Sequence, residues 1–291
     1  MVKDIKAIVA TDLDGTLLTG ASVCSEKNLA MLEALGRLPA LRVVATGRSL
    51  YSVRKTLPPE FPIDVLVFSS GAGIWDWKKD SLIEQNIMNR DSALEVAETL
   101  KRNHLSFMAH HPIPENHRFW FFENLDLPPD FQRRCEMHGE LASRWHGDFP
   151  QEGVTQFIVM VRTANAAEQL VRLRELIPHL SVVRATSPWN PEITWLEVFP
   201  KGISKGHALS WIVDRYGWSA LPTFGLGNDF NDIELLDWAS DGFVVANAPE
   251  ELLKKYLNAP DNESDGFFYA VTDWLASRSL VAATSLSSAF E

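Results

Sequence analysis

The chain has only two cysteines in 291 residues, Cys24 and Cys135. Two so widely spaced thiols exclude a disulfide framework and a zinc site built on CxxC pairs, and a reducing, cytoplasmic setting is expected. Basic runs are missing too: 27 Lys and Arg stand against 38 Asp and Glu, a formal charge of -11. That field opposes a polyanion, so nucleic acid is not expected as a partner. There is also no long hydrophobic run. The first apolar stretch covers about five residues before Asp12 interrupts it, short of a signal-peptide core or a membrane span, so no membrane partner is expected. No internal repeat or low-complexity segment occurs, and the closing TSLSSAFE reads as a frayed tail.

What is present is an ordinary apolar content of 46% in a chain long enough for two modest domains. IKAIVATDL reads as a buried strand, SEKNLAMLEALGRL as a helix capped by Ser25, LRVVATG as a second strand, SLYSVRKTL as a short helix and DVLVFSSG as a third strand. This βαβαβ rhythm predicts a parallel sheet with helices on both faces. It returns late, with ITWLEVFP, LPTFGLG and DGFVVANA as strands and SKGHALSWIVDRYG, DFNDIELLDWA and PEELLKKYL as helices. Between them the texture changes to helix-like DSALEVAETLKRN and NAAEQLVRLREL around strand-like RFWFF and VTQFIVMVR. The expected fold is α/β: a Rossmann-like parallel sheet from residues 1–80 and 188–291, with an inserted α+β cap at 81–187.

Seven of the eight histidines, His104, His110, His111, His117, His138, His146 and His179, fall in that insert. None of these pairs has the spacing of a preformed metal-ligand set, so surface or packing roles are expected. Trp120, Trp145 and Trp189 are expected to fill a core rather than stack on a sugar.

The stretch IVATDLDGTLLTG sets Asp12 and Asp14 where an apolar strand runs into a glycine turn. At the carboxyl edge of a parallel sheet, residues two apart point to the same side, toward the crevice where such sheets bind ligands. Two carboxylates that close repel, and a hard oxygen-seeking cation such as Mg²⁺ neutralises them. One carboxylate could attack a phosphoryl group and the other move the leaving-group proton.

TDLDGTLL resembles the first motif of the haloacid dehalogenase superfamily, whose members mostly hydrolyse phosphate esters through an aspartyl-phosphate. ATGRS, KGISKGHAL and GLGNDFNDIELL follow in the order of that superfamily's remaining motifs. The resemblance implies Asp12 as nucleophile and Asp14 as acid and base. It also implies that Thr46, the amide of Gly47, Lys205 and Asn231 bind phosphate, and that Asp12, Asp14, Asn228 and Asp232 bind Mg²⁺. The long interval between the second and third motifs is similar to the subgroup with a type IIB cap. Within it, VVATGRSLYSV and EVFPKGISKGHAL look most like the sucrose-phosphate phosphatase branch, with Cof-type phosphatases next. A small phosphorylated sugar is the substrate this implies, and a sugar phosphomutase is the alternative.

One position departs from the pattern. The fourth motif usually reads GDxxND, and its first aspartate, a metal ligand, is here Asn228. An amide oxygen coordinates without charge, so either the metal site is weak or rearranged around Asp229, or turnover is slow or lost and the chain is a phosphate-ester-binding protein. GISKG also spells a GxSxG elbow, but no histidine follows His207 to serve as its base. GAGIWD and GLGNDF lack the third small residue of a dinucleotide loop.

Overall fold

The computed structural model describes residues 5–125 and 127–278; the TSLSSAFE segment lies outside them. Its first apolar run forms β1 (Ala7–Thr11), buried throughout, as a strand covered on both faces must be. Ser25 then caps α1 (Glu26–Arg37), its side chain accepting from the Asn28 amide. β2 (Ala40–Ala45), α2 (Leu50–Thr56), β3 (Val65–Phe68), β4 (Gly73–Asp76) and β5 (Ser81–Gln85) follow.

The middle of the chain supplies α3 (Arg90–Arg102), β6 (Phe107–His110), β7 (Phe119–Phe122), α4 (Pro129–His138), β8 (Ala142–Arg144), β9 (Phe157–Arg162), α5 (Ala166–Leu176), β10 (Leu180–Thr186) and β11 (Ile193–Pro200). The last part adds α6 (Lys205–Tyr216), β12 (Thr223–Gly227), α7 (Ile233–Trp238), β13 (Asp241–Val245), α8 (Glu250–Leu253), β14 (Leu257–Ala259) and α9 (Gly266–Ser277).

These strands form two sheets, one of eight strands ordered β14-β13-β12-β1-β2-β3-β4-β5 and one of six ordered β10-β11-β9-β6-β7-β8. In the larger sheet β13, β12, β1, β2 and β3 run parallel, and β4 turns back antiparallel on β3. Ile8, Ala10, Val43, Val65 and Val67 on one face pack with Leu209, Ile212, Leu235 and Leu236 of α6 and α7. The other layer brings α9 against α1, β12 and β13, with Trp274 packed 5.5 Å from Phe224 between ring centroids. β1 has its β2 partner on one side and its β12 partner on the other, so the strand order reverses there. A crevice at the carboxyl ends follows from that switch.

By contacts the chain forms two units. One holds the described residues through Arg48, then Val53–Glu84 and everything from Ser204; the other holds Ser49–Ser52 and Gln85–Ile203. Two boundaries differ from the sequence reading. β5 extends the larger sheet past residue 80, and ITWLEVFP, expected in the parallel core, is β11, paired antiparallel with β9 and β10. A run of apolar and β-branched residues specifies a buried strand but not which sheet accepts it.

In the second unit Trp145 is buried in the core beneath α3, and Trp120 packs beside it, stacked on His111 with ring centroids 3.7 Å apart. Trp189 lies against Trp195 on the opposite sheet face.

Candidate active site

The site grows from the ends of four adjacent strands. β1 stops at Thr11, where the Asp12 amide still donates to Leu226 O of β12 at 2.8 Å. Asp12 is 5% exposed, and both its oxygens are occupied: Lys205 Nζ donates to Oδ1 at 2.6 Å, and Thr16 Oγ1 to Oδ2 at 2.9 Å. Gly15, at φ +69°, makes the turn that returns Thr16 to Asp12. Asn28, Asn247 and Asn262 pin the following segment by donating to Leu17 O, Gly15 O and Leu18 O.

Lys205 opens α6, whose cap is Ser204, and it is 1% exposed. Its ammonium also donates to Asp232 Oδ1 at 2.6 Å. Burial alone would lower its pKa, but Asp12 and then Asp232 override it and hold Lys205 above its ordinary range. Burial, and then the charge of Asp232, push the Asp12 carboxyl up to about 7 against the pull of Lys205.

Gly71, at φ +107°, lets the turn after β3 reach this helix: a Cβ there would lie 2.3 Å from Ser204 O. The turns after β2 and β3 are tied to each other, the Ser70 amide donating to Thr46 O and the Ser69 amide to Arg48 O. Ser69 and Ser70 are buried with φ of 49° and 54°, a conformation non-glycine residues adopt at a cost. Around Gly47 stand Ser70 Oγ and Asn231 Nδ2, 3.5 and 3.9 Å from where its Cβ would be.

A profile of the family described as haloacid dehalogenase-like hydrolase matches residues 9–271, the span that carries every one of these groups. The chain belongs to the haloacid dehalogenase-like hydrolases. Among its relatives, the 5-amino-6-(5-phospho-D-ribitylamino)uracil phosphatase YcsE of Bacillus subtilis is 23% identical over 94% of this chain and 96% of its own. The pyridoxal phosphate phosphatase YbhA of Escherichia coli is 23% identical over 89% of this chain and 94% of its own. Among solved structures, the phosphatase BT1666 from Bacteroides thetaiotaomicron has TM-score 0.72 at 20% identity, over 95% of this chain and 96% of its own. The subclass IIB sugar phosphatase BT4131 has TM-score 0.70 at 17% identity, over 94% and 99%.

In this haloacid dehalogenase-like chain the two aspartates do not share one environment. Asp12 is enclosed, whereas the Asp14 side chain is 48% exposed and is gripped by Arg48, whose Nε donates to Oδ2 at 2.7 Å. Arg48 follows directly on Thr46 and Gly47 in ATGRS, and that adjacency was the available sequence signal. Thr46 is buried and its hydroxyl accepts from the Arg48 amide at 3.1 Å. Ser69 and Ser70 were missed, their signal being the SSG closing β3.

The fourth segment brings Asp232, Asp229 and Asn228 to the same turn. Asp232 is fully buried, with Oδ1 on Lys205 and Oδ2 accepting from the amides of Asn228 and Asp229 at 2.9 and 3.0 Å. Its two oxygens thus accept from the lysine and from the turn. Asp229 accepts from the Phe230 amide and closes a capping box with Asp232, so its carboxylate is engaged in the turn. Asn228 instead presents its amide oxygen to Thr16 Oγ1 at 3.2 Å, the same hydroxyl that Asp12 Oδ2 accepts from. One hydroxyl therefore lies between a carboxylate and an amide oxygen, an all-oxygen donor set that suits a hard cation. Among the described residues no three His, Cys, Asp or Glu side chains form a metal group.

Proposed function

We propose that the chain is a magnesium-dependent phosphatase that hydrolyses the monoester of a small, hydroxyl-bearing alcohol through an aspartyl-phosphate. The observation carrying this reading is the convergence on one buried carboxylate, Asp12, of a lysine from α6 and a hydroxyl from its own turn, beside the loops of Thr46 and Asn231.

Asp12 attacks phosphorus, forming an acyl-phosphate bond while the ester P–O bond breaks, and Asp14 gives its proton to the departing alkoxide. Asp14, now a base, takes a proton from water; the water oxygen then displaces Asp12 and frees inorganic phosphate. Lys205 offsets the charge that a phosphate dianion brings beside an anionic nucleophile. Thr46, the Gly47 amide and Asn231 donate to phosphoryl oxygens. Asp12, the Asp14 carbonyl and the Asn228 amide oxygen would hold Mg²⁺, which when bound neutralises charge at the phosphoryl group.

Relatives named for a phosphoribitylamino-uracil and for pyridoxal phosphate support a polar phosphate ester as substrate class, rather than sucrose phosphate in particular. Release of inorganic phosphate from para-nitrophenyl phosphate and from a panel of sugar and polyol phosphates, with and without Mg²⁺, tests the reading. No turnover at saturating Mg²⁺, or an Asp12→Asn protein as active as wild type, would sink it.

A further inference from the structure

The segment from Gly15 to Gly20, directly after Asp14, lies outside the strands of both sheets, so its backbone groups need partners other than a ladder. Four of them are taken by side chains. Gly15 O accepts from Asn247 Nδ2 at 2.8 Å, Leu17 O from Asn28 Nδ2 at 3.2 Å and Leu18 O from Asn262 Nδ2 at 3.0 Å, while the Gly20 amide donates to Glu263 Oε1 at 2.6 Å. All of these residues belong to one unit. Asn28, Asn262 and Glu263 act beyond Thr16, whereas Asn247 acts on the residue next to Asp14.

Asn247 stands exposed in the turn between β13 and α8. Its side-chain amide is used at both ends, Nδ2 donating to Gly15 O and Oδ1 accepting from the Asn262 amide at 3.3 Å. Both partners are backbone groups of fixed polarity, so the position demands a donor and an acceptor on one short side chain. Aspartate keeps the acceptor and loses the donor, and alanine loses both. Gly15 is the soft joint of the turn, at φ +69° with no Cβ to restrain it. The room its missing side chain leaves is taken by Asn228 Nδ2 and Asn247 Nδ2, 2.7 and 3.7 Å from where a Cβ would be. The peptide whose oxygen Asn247 holds runs straight into Thr16, which is fully buried and whose hydroxyl meets Asp12 Oδ2 at 2.9 Å and Asn228 Oδ1 at 3.2 Å.

We propose that Asn247 is a positioning residue: by holding the Gly15 carbonyl it fixes the turn between Asp14 and Thr16, and with it the places of the Asp14 carboxyl and the Thr16 hydroxyl relative to Asp12. That these groups belong to a reaction rests on the phosphatase reading, but the hold on the turn does not. Because the Asn247 side chain is exposed, water replaces its hydrogen bond readily and the loss costs little stability. A loosened joint beside the acid and base costs rate instead, since a misplacement of about 1 Å can lower turnover by about 100-fold. A mere brace for the fold would act in the reverse order, with stability lost first and activity following it.

Three measurements on the full-length protein test it: steady-state kinetics on para-nitrophenyl phosphate, thermal unfolding, and amide hydrogen exchange read by mass spectrometry. In Asn247→Ala and Asn247→Asp, kcat should fall about tenfold to 100-fold while KM stays within about twofold. The unfolding midpoint should drop by no more than about 4 °C, and the peptide covering residues 12–19 should exchange faster than in wild type. Asn247→Gln should recover part of kcat, because it still carries a donor. An undiminished kcat in Asn247→Ala, a loss carried by KM alone, a larger drop in midpoint or failure to fold, or unchanged exchange across residues 12–19 each overturns the proposal. If wild type hydrolyses nothing, the phosphatase reading fails, and the exchange of residues 12–19 still decides whether Asn247 holds the turn.

Discussion

Arg48 grips Asp14 with both arms of its guanidinium, Nε lying 2.7 Å from Oδ2 while Nη2 contacts Oδ1. The proposed acid and base is therefore held in one rotamer by the residue that follows the phosphate-binding turn. Arg48→Ala should lower kcat by about 100-fold, the scale on which a misplaced group fails. Arg48→Lys should recover only part, because an ammonium lacks the planar fork. Asp14→Asn is expected to cost about 10²–10⁴-fold, and the double variant Asp14→Asn/Arg48→Ala little more, since one interaction is removed twice. Steady-state kinetics on para-nitrophenyl phosphate reads all four.

Lys205 offsets the charges of two carboxylates at once. Lys205→Met should destabilise the protein by about 3–5 kcal/mol, the usual result of stranding buried charge, and Lys205→Met/Asp232→Asn should regain part of that. Urea unfolding midpoints measure both. Equal stability of the single and double variants would contradict the role assigned to Asp232.

Asp12 predicts a pH dependence with a definite sign. Its carboxyl lies at about 7 in the folded protein against 3.8 in the unfolded chain. Between those values the folded state binds more protons, so its stability declines as pH rises from about 4 to about 7. Without divalent cation, Asp12→Asn should therefore unfold at a higher temperature than wild type at pH 8, with the gap closing at pH 5. Mg²⁺ binding at pH 6 should release protons, seen as buffer-dependent heats in titration calorimetry, and Asp12→Asn should abolish the release.

Asn228→Asp restores a charge beside Thr16 and Asp12. Mg²⁺ affinity should rise by about 10–100-fold, the scale of changes to a ligand shell. The metal-free protein should at the same time lose stability, because a further carboxylate joins Asp12 and Asp232. Calorimetric titration and thermal unfolding with and without Mg²⁺ check the two effects.

Gly71→Ala should cost more than about 2 kcal/mol, since its φ of +107° disfavours a side chain and the added Cβ meets Ser204 O at 2.3 Å. Gly217→Ala is the control: φ is +72° but nothing lies within 4 Å, so about 1 kcal/mol is expected. Activity should fall with Gly71→Ala because the displaced backbone starts the helix of Lys205.

The parallel sheet was legible because its strands are short apolar runs ending in glycine turns, and the Ser25 cap because serine precedes a helical leucine period. Helix α9 was not foreseen: GFFYAVTDWLAS is apolar nearly all round, and its period is hidden by burial against α1, β12 and β13. ITWLEVFP was legible as a strand and not as a member of the second sheet, since pairing is a property of two segments. In the site, Asp12 stood out at a strand end, while Thr46 and Lys205 were singled out by the resemblance of their motifs. Arg48 and Asp232 could not be given their tasks, because an arginine after a turn and an aspartate in one each have several local partners.

The sequence by itself determined the acidic surface, the strand-end motifs and their order, and hence which residues are available for phosphoryl chemistry. Only the tertiary structure decided that Asp12 is enclosed by Lys205 while Asp14 faces Arg48, and that Asp232 serves the lysine while Asn228 faces Thr16. The reason is separation along the chain: Lys205 and Asp12 are 193 residues apart, and their 2.6 Å contact exists only once β1 and α6 are packed in the same unit.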